Sequence, residues 1–375
     1  MRIQLHDNNK HLNFAPLSLT RPIGNLRIGI LTNDERWRVL LPDAVISFET
    51  EDYLAKKFTK DNHAMCVNAC VIPNSDIVEE VFKLKGNEEL ISQGLWIARS
   101  GTGEILKEYS GKEPMVINER WELYQKNAEV LAQDFKLLTD GRTSVQLSAT
   151  NTIIGDPNQI FLEKGAKVEA AILNTEEGPI YIGENAEIME GSIVRGGLAM
   201  CENSVLKLGT KIYGATTLGP YCKVGGEVNN VIFYAYSNKG HDGFLGNSVI
   251  GEWCNIGADT NTSNLKNNYG LVNTYSYASN NIEQTDVQFM GLMMGDHSKC
   301  GINTMFNTAA VVGVSCNVFG AEFPPKYIAS FSWGLQNENY AFSKAIIASN
   351  NMMKRRELEL SENEIEILKF LSDNK

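Results

Sequence analysis

The sequence predicts two domains, a compact α/β domain followed by a parallel β-helix that C-terminal helices close off. Two observations carry that expectation. Aliphatic residues recur every six positions through the second half of the chain, whereas the first 140 residues mix strand-like and helix-like stretches. Length is a third. A chain of 375 residues favours two domains over one. The expected boundaries are 1–140 for the α/β domain, 141–336 for the β-helix and 337–375 for the helices.

The first domain opens with RIQLH, which reads as a strand, and continues in the loop PLSLTRPIGNLRIG. Thr32 and Glu35 form a capping-box signal that opens an amphipathic helix through RWRVLL. CVNACVI reads as a buried strand, and VINERWELYQKNAEVLAQDF (116–135) carries apolar residues at helical spacing. Strands and helices mixed in this order point to a compact α/β layer. Neither G-x-G-x-x-G nor G-x-x-x-x-G-K-[ST] occurs, so no Rossmann fingerprint or P-loop supports nucleotide binding.

In the second domain, stepping by six from Ile182 meets Ile188, Val194, Met200, Leu206, Ile212, Leu218 and Val224. The position four further on is mostly small, as at Ala186, Ser192, Ser204, Thr210, Thr216 and Cys222. Helices repeat at about 3.6 and half-buried strands at about 2. A period of six marks a parallel β-helix, in which three short units close one triangular coil. The aliphatic residue points inward and the small one fits beside it. The register is expected to resume at Phe244, Ile250 and Ile256, and again at Phe306, Val312 and Val318. Over 226–243 and 262–300 it is lost, so loops carrying binding groups are expected to leave the prism there.

Pro324 and Pro325 should end the coil. A helix is expected from about 338 to 357, with Phe342, Ala345, Ile346, Met352 and Met353 on one face. Ser361 and Glu364 cap a last helix containing Ile365, Leu368 and Leu371. Both are expected to pack on the prism or on a partner subunit.

Net charge is −11, from 34 basic and 45 acidic residues. The longest basic cluster is Lys354-Arg355-Arg356, which argues against nucleic acid as a partner. The N-terminus lacks an apolar signal core and no run approaches 18 apolar residues, so neither secretion nor membrane spanning is expected. Seven cysteines at irregular spacing fit reduced thiols in a cytoplasm. Cys66 and Cys70 read as core residues. No metal site is expected, because only His241 and His297 fall in the repeat region.

Transfer of an acyl group from a thioester needs a base for the nucleophile, a donor for the oxyanion and alignment of both substrates. A histidine near its ordinary pKa of about 6.5 suits the first task. His241 lies between Gly240 and Gly243, where the period re-enters. From these residues alone, a base and a packed side chain both remain open.

The segment GHDGFLGNSVIGEWCNIGADTNTSN (240–264) resembles the acetyltransferase half of the bifunctional glucosamine-1-phosphate N-acetyltransferase/N-acetylglucosamine-1-phosphate uridylyltransferase family. Gly240-His241, Leu245-Gly246-Asn247, Ile250-Gly251, Asn255-Ile256-Gly257-Ala258, Thr260 and Asn264 match its motif without a gap. The strings EVNNVIFYAYSNKGHDGFLG, LKNNYG, GDHSKCGINTMFNT, FPPKYIASFSWG and TRPIGNLRIGILTNDERW resemble a GlmU-like subfamily of sugar nucleotidyltransferases. The resemblance implies a left-handed β-helix and a reduced nucleotidyltransferase-like first domain. It also implies a homotrimer, with acetyl-CoA as co-substrate bound between prisms, acting on an amino-sugar phosphate or nucleotide sugar.

Carried over by residue, the resemblance makes His241 the general base and Glu227 the carboxylate that polarises it. Asn255 becomes a sugar contact, Ala258 a backbone contact to acetyl-CoA, and Asn264 a residue near both substrates. Phe244 stands where the family has a tyrosine, Asn229 where it has a phosphate-binding lysine, and Asp259 where it has a glycine. Lys207, Lys239 and Lys266 are then the candidate cations, Lys207 toward the sugar phosphate and Lys266 toward the acyl donor. The uridylyltransferase loop G-x-G-T-R-[ML] is absent, leaving Arg21 and Arg27 as the nearest groups for nucleotide phosphates. Mg2+ enters only if this domain is active. Two other functions stay open: a sugar-1-phosphate nucleotidyltransferase whose β-helix assembles the oligomer, and a non-catalytic sugar-nucleotide-binding protein.

Overall fold

The computed structural model describes residues 1–336 and 338–375, so the expected start of the C-terminal segment at 337 lies outside the described residues. The chain forms two compact units. One is Met1–Leu26 with Leu31–Arg120; the other is Arg27–Ile30 with Trp121–Lys375.

In the first unit, Arg2–His6 lies between Val45–Glu49 and Met65–Asn68 and runs parallel to both. Leu95–Arg99 continues the sheet antiparallel to Met65–Asn68, followed by Glu88–Ser92 and Ile105–Glu108. Ile3 and Leu5, two apart on one face of the first strand, are completely buried. The helix Asn33–Leu40 begins as the capping box predicts. Thr32 accepts from the Glu35 N–H, and the Glu35 carboxylate accepts from the Thr32 N–H at 2.7 Å. Asn33 then donates to the carbonyls of Ala69 and Val71, tying this first turn to the end of Met65–Asn68. A second helix, Ser75–Lys83, is capped by Asn74.

The compact unit ends at Arg120 rather than 140. The single helix expected over 116–135 is two, Glu122–Gln125 and Asn127–Thr139, broken at Lys126. Their side chains serve the second unit. Asn127 donates to the Ala215 carbonyl at 3.0 Å, and Asp134 accepts from the Ile30 N–H at 2.8 Å.

The second unit is a left-handed parallel β-helix. Face one carries Lys211–Tyr213, face two Thr216–Leu218 and face three Lys223–Val224, each stacked in parallel on its equivalent one coil away. All eight aliphatics of the six-residue series, from Ile182 to Val224, are at most 1% exposed. Each such burial stabilises by roughly 1.5–3 kcal/mol. The small residues between them, such as Ala186, Ser204 and Thr210, are equally buried, so bulk there would meet the next coil. Corners turn through left-handed residues, among them Asn185 and Asn203 at φ 56°.

Two expectations about the interruptions change. No loop leaves the prism over 226–243. Glu227–Ala235 and Phe244–Glu252 instead pair with one another in parallel and span two faces each. The inward step shortens there, from Val224 to Val228 and then Val228 to Phe233, all buried. A strict count of six therefore slips by one. Leu245, 1% exposed, is the inward residue, and Phe244 faces outward, half-buried. The second interruption does depart from the coil, as the antiparallel hairpin Asn273–Ser276 with Asn281–Gln284, and coiling resumes at Met293–Met294.

Beyond the prism, Glu338–Asn339 pairs with Ser332–Trp333 and the helix starts later than expected, at Phe342–Met353. Glu362–Asp373 follows with the Ser361 capping box in place. Among the described residues, no helix is long and apolar enough to cross a membrane.

Candidate active site

The corner between faces three and one repeats in successive coils as Gly225-Gly226, Gly240–Gly243 and Gly257–Thr260. Its glycines other than Gly240 are required by close backbone approach. A Cβ on Gly225 would lie 2.8 Å from the Gly240 carbonyl oxygen, and one on Gly226 would lie 2.9 Å from backbone atoms of His241, Asp242 and Gly243. Gly226 also needs φ +77°. Above, the Asp259 N–H donates to the Asp242 carbonyl at 3.0 Å, with Asp259 itself left-handed at φ 55°. An aspartate tolerates that conformation where the family motif has glycine. His241 is thus held between Glu227's coil and Ala258's coil, on a corner rather than on an inserted loop.

The His241 side chain is exposed and has no hydrogen-bond or ion-pair partner among the described residues. Its main chain is fixed from inside. Lys239, 1% exposed, donates from Nζ to the carbonyls of Gly225 and His241, both at 2.9 Å. Burial pushes the Lys239 ammonium down to about 8, with Asp242 and Asp259 opposing. It is a structural cation, not an exposed one for phosphate.

Glu227 opens face one on the coil below His241, with its N–H donating to the Gly243 carbonyl at 3.3 Å. Its carboxylate does not bond His241. It accepts from the Tyr213 hydroxyl at 2.6 Å and lies 4.0 Å from Lys211 Nζ. Burial, then Glu227, push the Tyr213 phenol up to about 12. Lys211, Glu227 and Phe244 stand in register on the outer side of face one. Lys211 was not singled out by motif, because the signal is one of coil spacing. It is an exposed cation on the strand that pairs with Asn229, the position where the family has a lysine.

The remaining candidates divide between faces. Asn229 lies on face one, paired with Tyr213 and Gly246. A Cβ on Gly246 would meet both the Phe244 ring, at 2.6 Å, and Asn264 Nδ2, at 2.7 Å, so those two side chains close over this glycine. Asn264 donates to Asn247 at 2.7 Å. Asn255 is exposed on face three, bridged between Asn238 and Lys299. Ala258 shares the corner column of His241, and the Asn303 N–H donates to its carbonyl at 2.8 Å. Lys207 lies on the same corner lower down, bonding Val224 through its N–H. Lys266 donates to the Leu271 carbonyl at 3.1 Å, at the base of the hairpin excursion.

Arg21 and Arg27, the candidates for nucleotide phosphates, are each only 5% exposed. Arg21 belongs to the first unit. Arg27 belongs to the second, where its guanidinium donates to the carbonyls of Ile30 and Tyr234 and lies 5.7 Å over the Tyr234 ring. Among the described residues, no group of three or more His, Cys, Asp or Glu is placed to hold a metal ion. All seven cysteines are buried, and none is in a disulfide among the described residues.

Comparison with known proteins adds the class. Residues 3–143 match the family described as sugar nucleotidyl transferase, so the chain joins a domain of that type to a β-helix. The bifunctional protein GlmU of Methanocaldococcus jannaschii is 30% identical over 118 residues, 32% of this chain and 28% of that protein. GlmU of a Cyanothece species is 25% identical over 155 residues, 36% of this chain and 34% of that protein. The match therefore spans about a third of those relatives' length. Over those stretches the chain is similar to GlmU proteins.

Proposed function

We propose that the chain transfers an acetyl group from acetyl-CoA to the amine of an amino-sugar phosphate or nucleotide sugar, with His241 as general base. The observation that carries this reading is the corner itself. A solvent-facing imidazole without an internal partner among the described residues stands on a backbone clamped by Lys239 and by the stacked corners above and below. Such a fixed, accessible base suits proton removal from a bound amine.

In this mechanism the amine nitrogen attacks the thioester carbonyl carbon and His241 accepts its proton. The new C–N bond forms, the C–S bond breaks, and His241 returns the proton to the departing sulfur. The Ala258 N–H donates to no internal acceptor among the described residues, which suits it to the oxygen that becomes negative. Lys211, in place of a cation at 229, meets the acceptor's phosphate. Glu227 acts through the field around the corner rather than through a direct bond to His241. Phe244, Asn255 and Asn264 supply the walls of the acceptor and donor sites. No acyl-enzyme is required, in keeping with seven buried thiols. The same proposal includes a homotrimer with the donor held between prisms, and a reducing cytoplasm.

The test is thiol release from acetyl-CoA across a panel of amino-sugar phosphates and nucleotide amino sugars. His241→Ala is expected to lower turnover by about 10²–10⁴-fold, the range of a general base. Failure of every acceptor, or parental turnover in His241→Ala, would sink the proposal. A second reading is favoured by the match over residues 3–143. In it, the first unit transfers a nucleotidyl group to a sugar 1-phosphate with Mg2+, releasing pyrophosphate, and the β-helix assembles the oligomer.

A further inference from the structure

A cavity of about 530 Å³ opens between face three of the prism and the end of the helix Phe342–Met353 with its turn Lys354–Arg356. Lys223 and Lys299 reach it from the prism wall, and Arg355 and Arg356 from the turn. Among the described residues, no carboxylate lines it. That is a local arrangement in a chain with eleven more acidic than basic residues, 45 against 34.

The charges acting on Lys223 are all of its own sign. Burial, then Arg356, Lys207 and Arg355, lower its pKa. Burial does the same to Lys299, whose Nζ donates to the His297 carbonyl at 2.9 Å. A favourable helix dipole explains basic residues at the end of Phe342–Met353. It does not explain two further lysines facing them from the prism. Cations gathered and partly desolvated without a counter-charge are unfavourable until an anion arrives.

The walls are built as well. Tyr221, Tyr236 and Trp253 occupy successive corner positions at φ 59°, 52° and 57°. The coils below use Asn185 and Asn203 at the equivalent corners. Asparagine accepts the left-handed region readily, whereas bulky aromatics there are uncommon. One ring per coil, at a strand spacing of about 4.8 Å, gives a continuous stack with centroids 5.0 and 4.2 Å apart and planes within 10°. Arg356 lies 5.8 Å over Tyr221 and donates to its carbonyl at 3.4 Å, so the guanidinium is oriented.

We propose that this groove binds a diphosphate group, held by Lys223, Lys299, Arg355 and Arg356, with the organic part of the ligand along Asn238 and the Tyr236–Trp253 wall. Four cations exceed what one phosphate requires, and guanidinium forks match linked phosphate oxygens. The volume accommodates a nucleoside-sized remainder. Two sources carry this chemistry, a nucleoside diphosphate (free or within a nucleotide sugar) and coenzyme A. Asn255, a wall of the proposed acyl-transfer site, also lines this cavity, so the coenzyme A source rests on that reading whereas the nucleoside diphosphate source goes beyond it, and neither needs turnover.

Calorimetric titration of the full chain with inorganic pyrophosphate, inorganic phosphate, uridine diphosphate and coenzyme A tests it. Pyrophosphate and at least one organic diphosphate are expected to bind, the tighter of the two naming the source. R355Q/R356Q should weaken binding at least tenfold while still melting cooperatively as a folded chain, and added salt should weaken it further. If that variant fails to fold, Lys223→Gln, on the prism wall, gives the same readout. His241→Ala should bind as the parent does, which separates failure here from failure of the acetyl-transfer proposal. The inference is overturned if none of the four binds, if phosphate binds as tightly as pyrophosphate, or if a folded variant binds like the parent.

Discussion

Lys239 takes a place in the inward column that neighbouring coils give to Val224 and Ile256. Nothing in SNKGHDG marks it as a core residue, since it follows Val224 by fifteen positions and falls outside the count of six. Its two carbonyl partners explain why the site tolerates an amine. They do not remove the cost of keeping it charged. A folded pKa of about 8 lies below the ordinary lysine value of about 10.4. Between these values the unfolded chain binds the proton and the folded chain releases it, so this group adds stability as pH rises through that window. Below pH 8 the penalty is fully present. Buried thiols act oppositely at high pH, as at Cys222, pushed up to about 12, so only a comparison isolates the lysine. We predict that the stability difference between the parent and Lys239→Met shifts toward the parent by up to about 3 kcal/mol between pH 7 and 10. Denaturant melts at the two pH values measure it, and a constant difference would refute the buried ammonium.

At the scale of the coil, the period of six was legible from Ile182 to Val224 because each inward position there stacks on its equivalents and carries an aliphatic side chain. The slip at Phe244 was not. It arises from a two-residue corner at Gly225-Gly226 and from five-residue steps across the long strands, and these alter the count without altering the composition. The candidate site was legible as a candidate where a motif is contiguous, as along 240–264. The Lys211–Glu227–Tyr213 group and the cationic groove depend on residues that only coiling brings together. Corner tightness is itself testable. Gly226 and Gly209 share a left-handed φ, +77° and +66°, but a Cβ on Gly209 meets nothing within 4 Å. Gly209→Ala should therefore cost only the conformational term, about 1–2 kcal/mol. Gly226→Ala should cost that and a further ~1–3 kcal/mol of overpacking against the 241–243 backbone, and should displace His241. Equal losses in parallel thermal melts would show that the corner yields, and that backbone contact is not what fixes the histidine.

For the molecule as a whole, the informative segment is Arg27–Ile30, which the chain contributes to the second unit long before that unit resumes at Trp121. With the uridylyltransferase loop absent, the sequence leaves Arg27 a candidate for nucleotide phosphates as one of the nearest basic groups in the first domain. The guanidinium is instead bonded to the Ile30 and Tyr234 carbonyls, while the Gly29 carbonyl accepts from Thr217 at 2.7 Å and the Gly29 N–H donates to Asn127 at 2.8 Å. These are bonds by which an early segment is integrated into the β-helix unit. Removing a charged donor from buried carbonyls costs about 1.5–3 kcal/mol. Arg27→Ala is accordingly expected to lower the melting temperature by several degrees, a few degrees per kcal/mol for a unit of this size. Any stabilisation of the chain by a nucleoside triphosphate with Mg2+ should be unchanged in that variant. If Arg27→Ala melts like the parent but loses nucleotide stabilisation at least tenfold in ligand concentration, Arg27 is a phosphate ligand after all and the nucleotidyl-transfer reading gains its first residue.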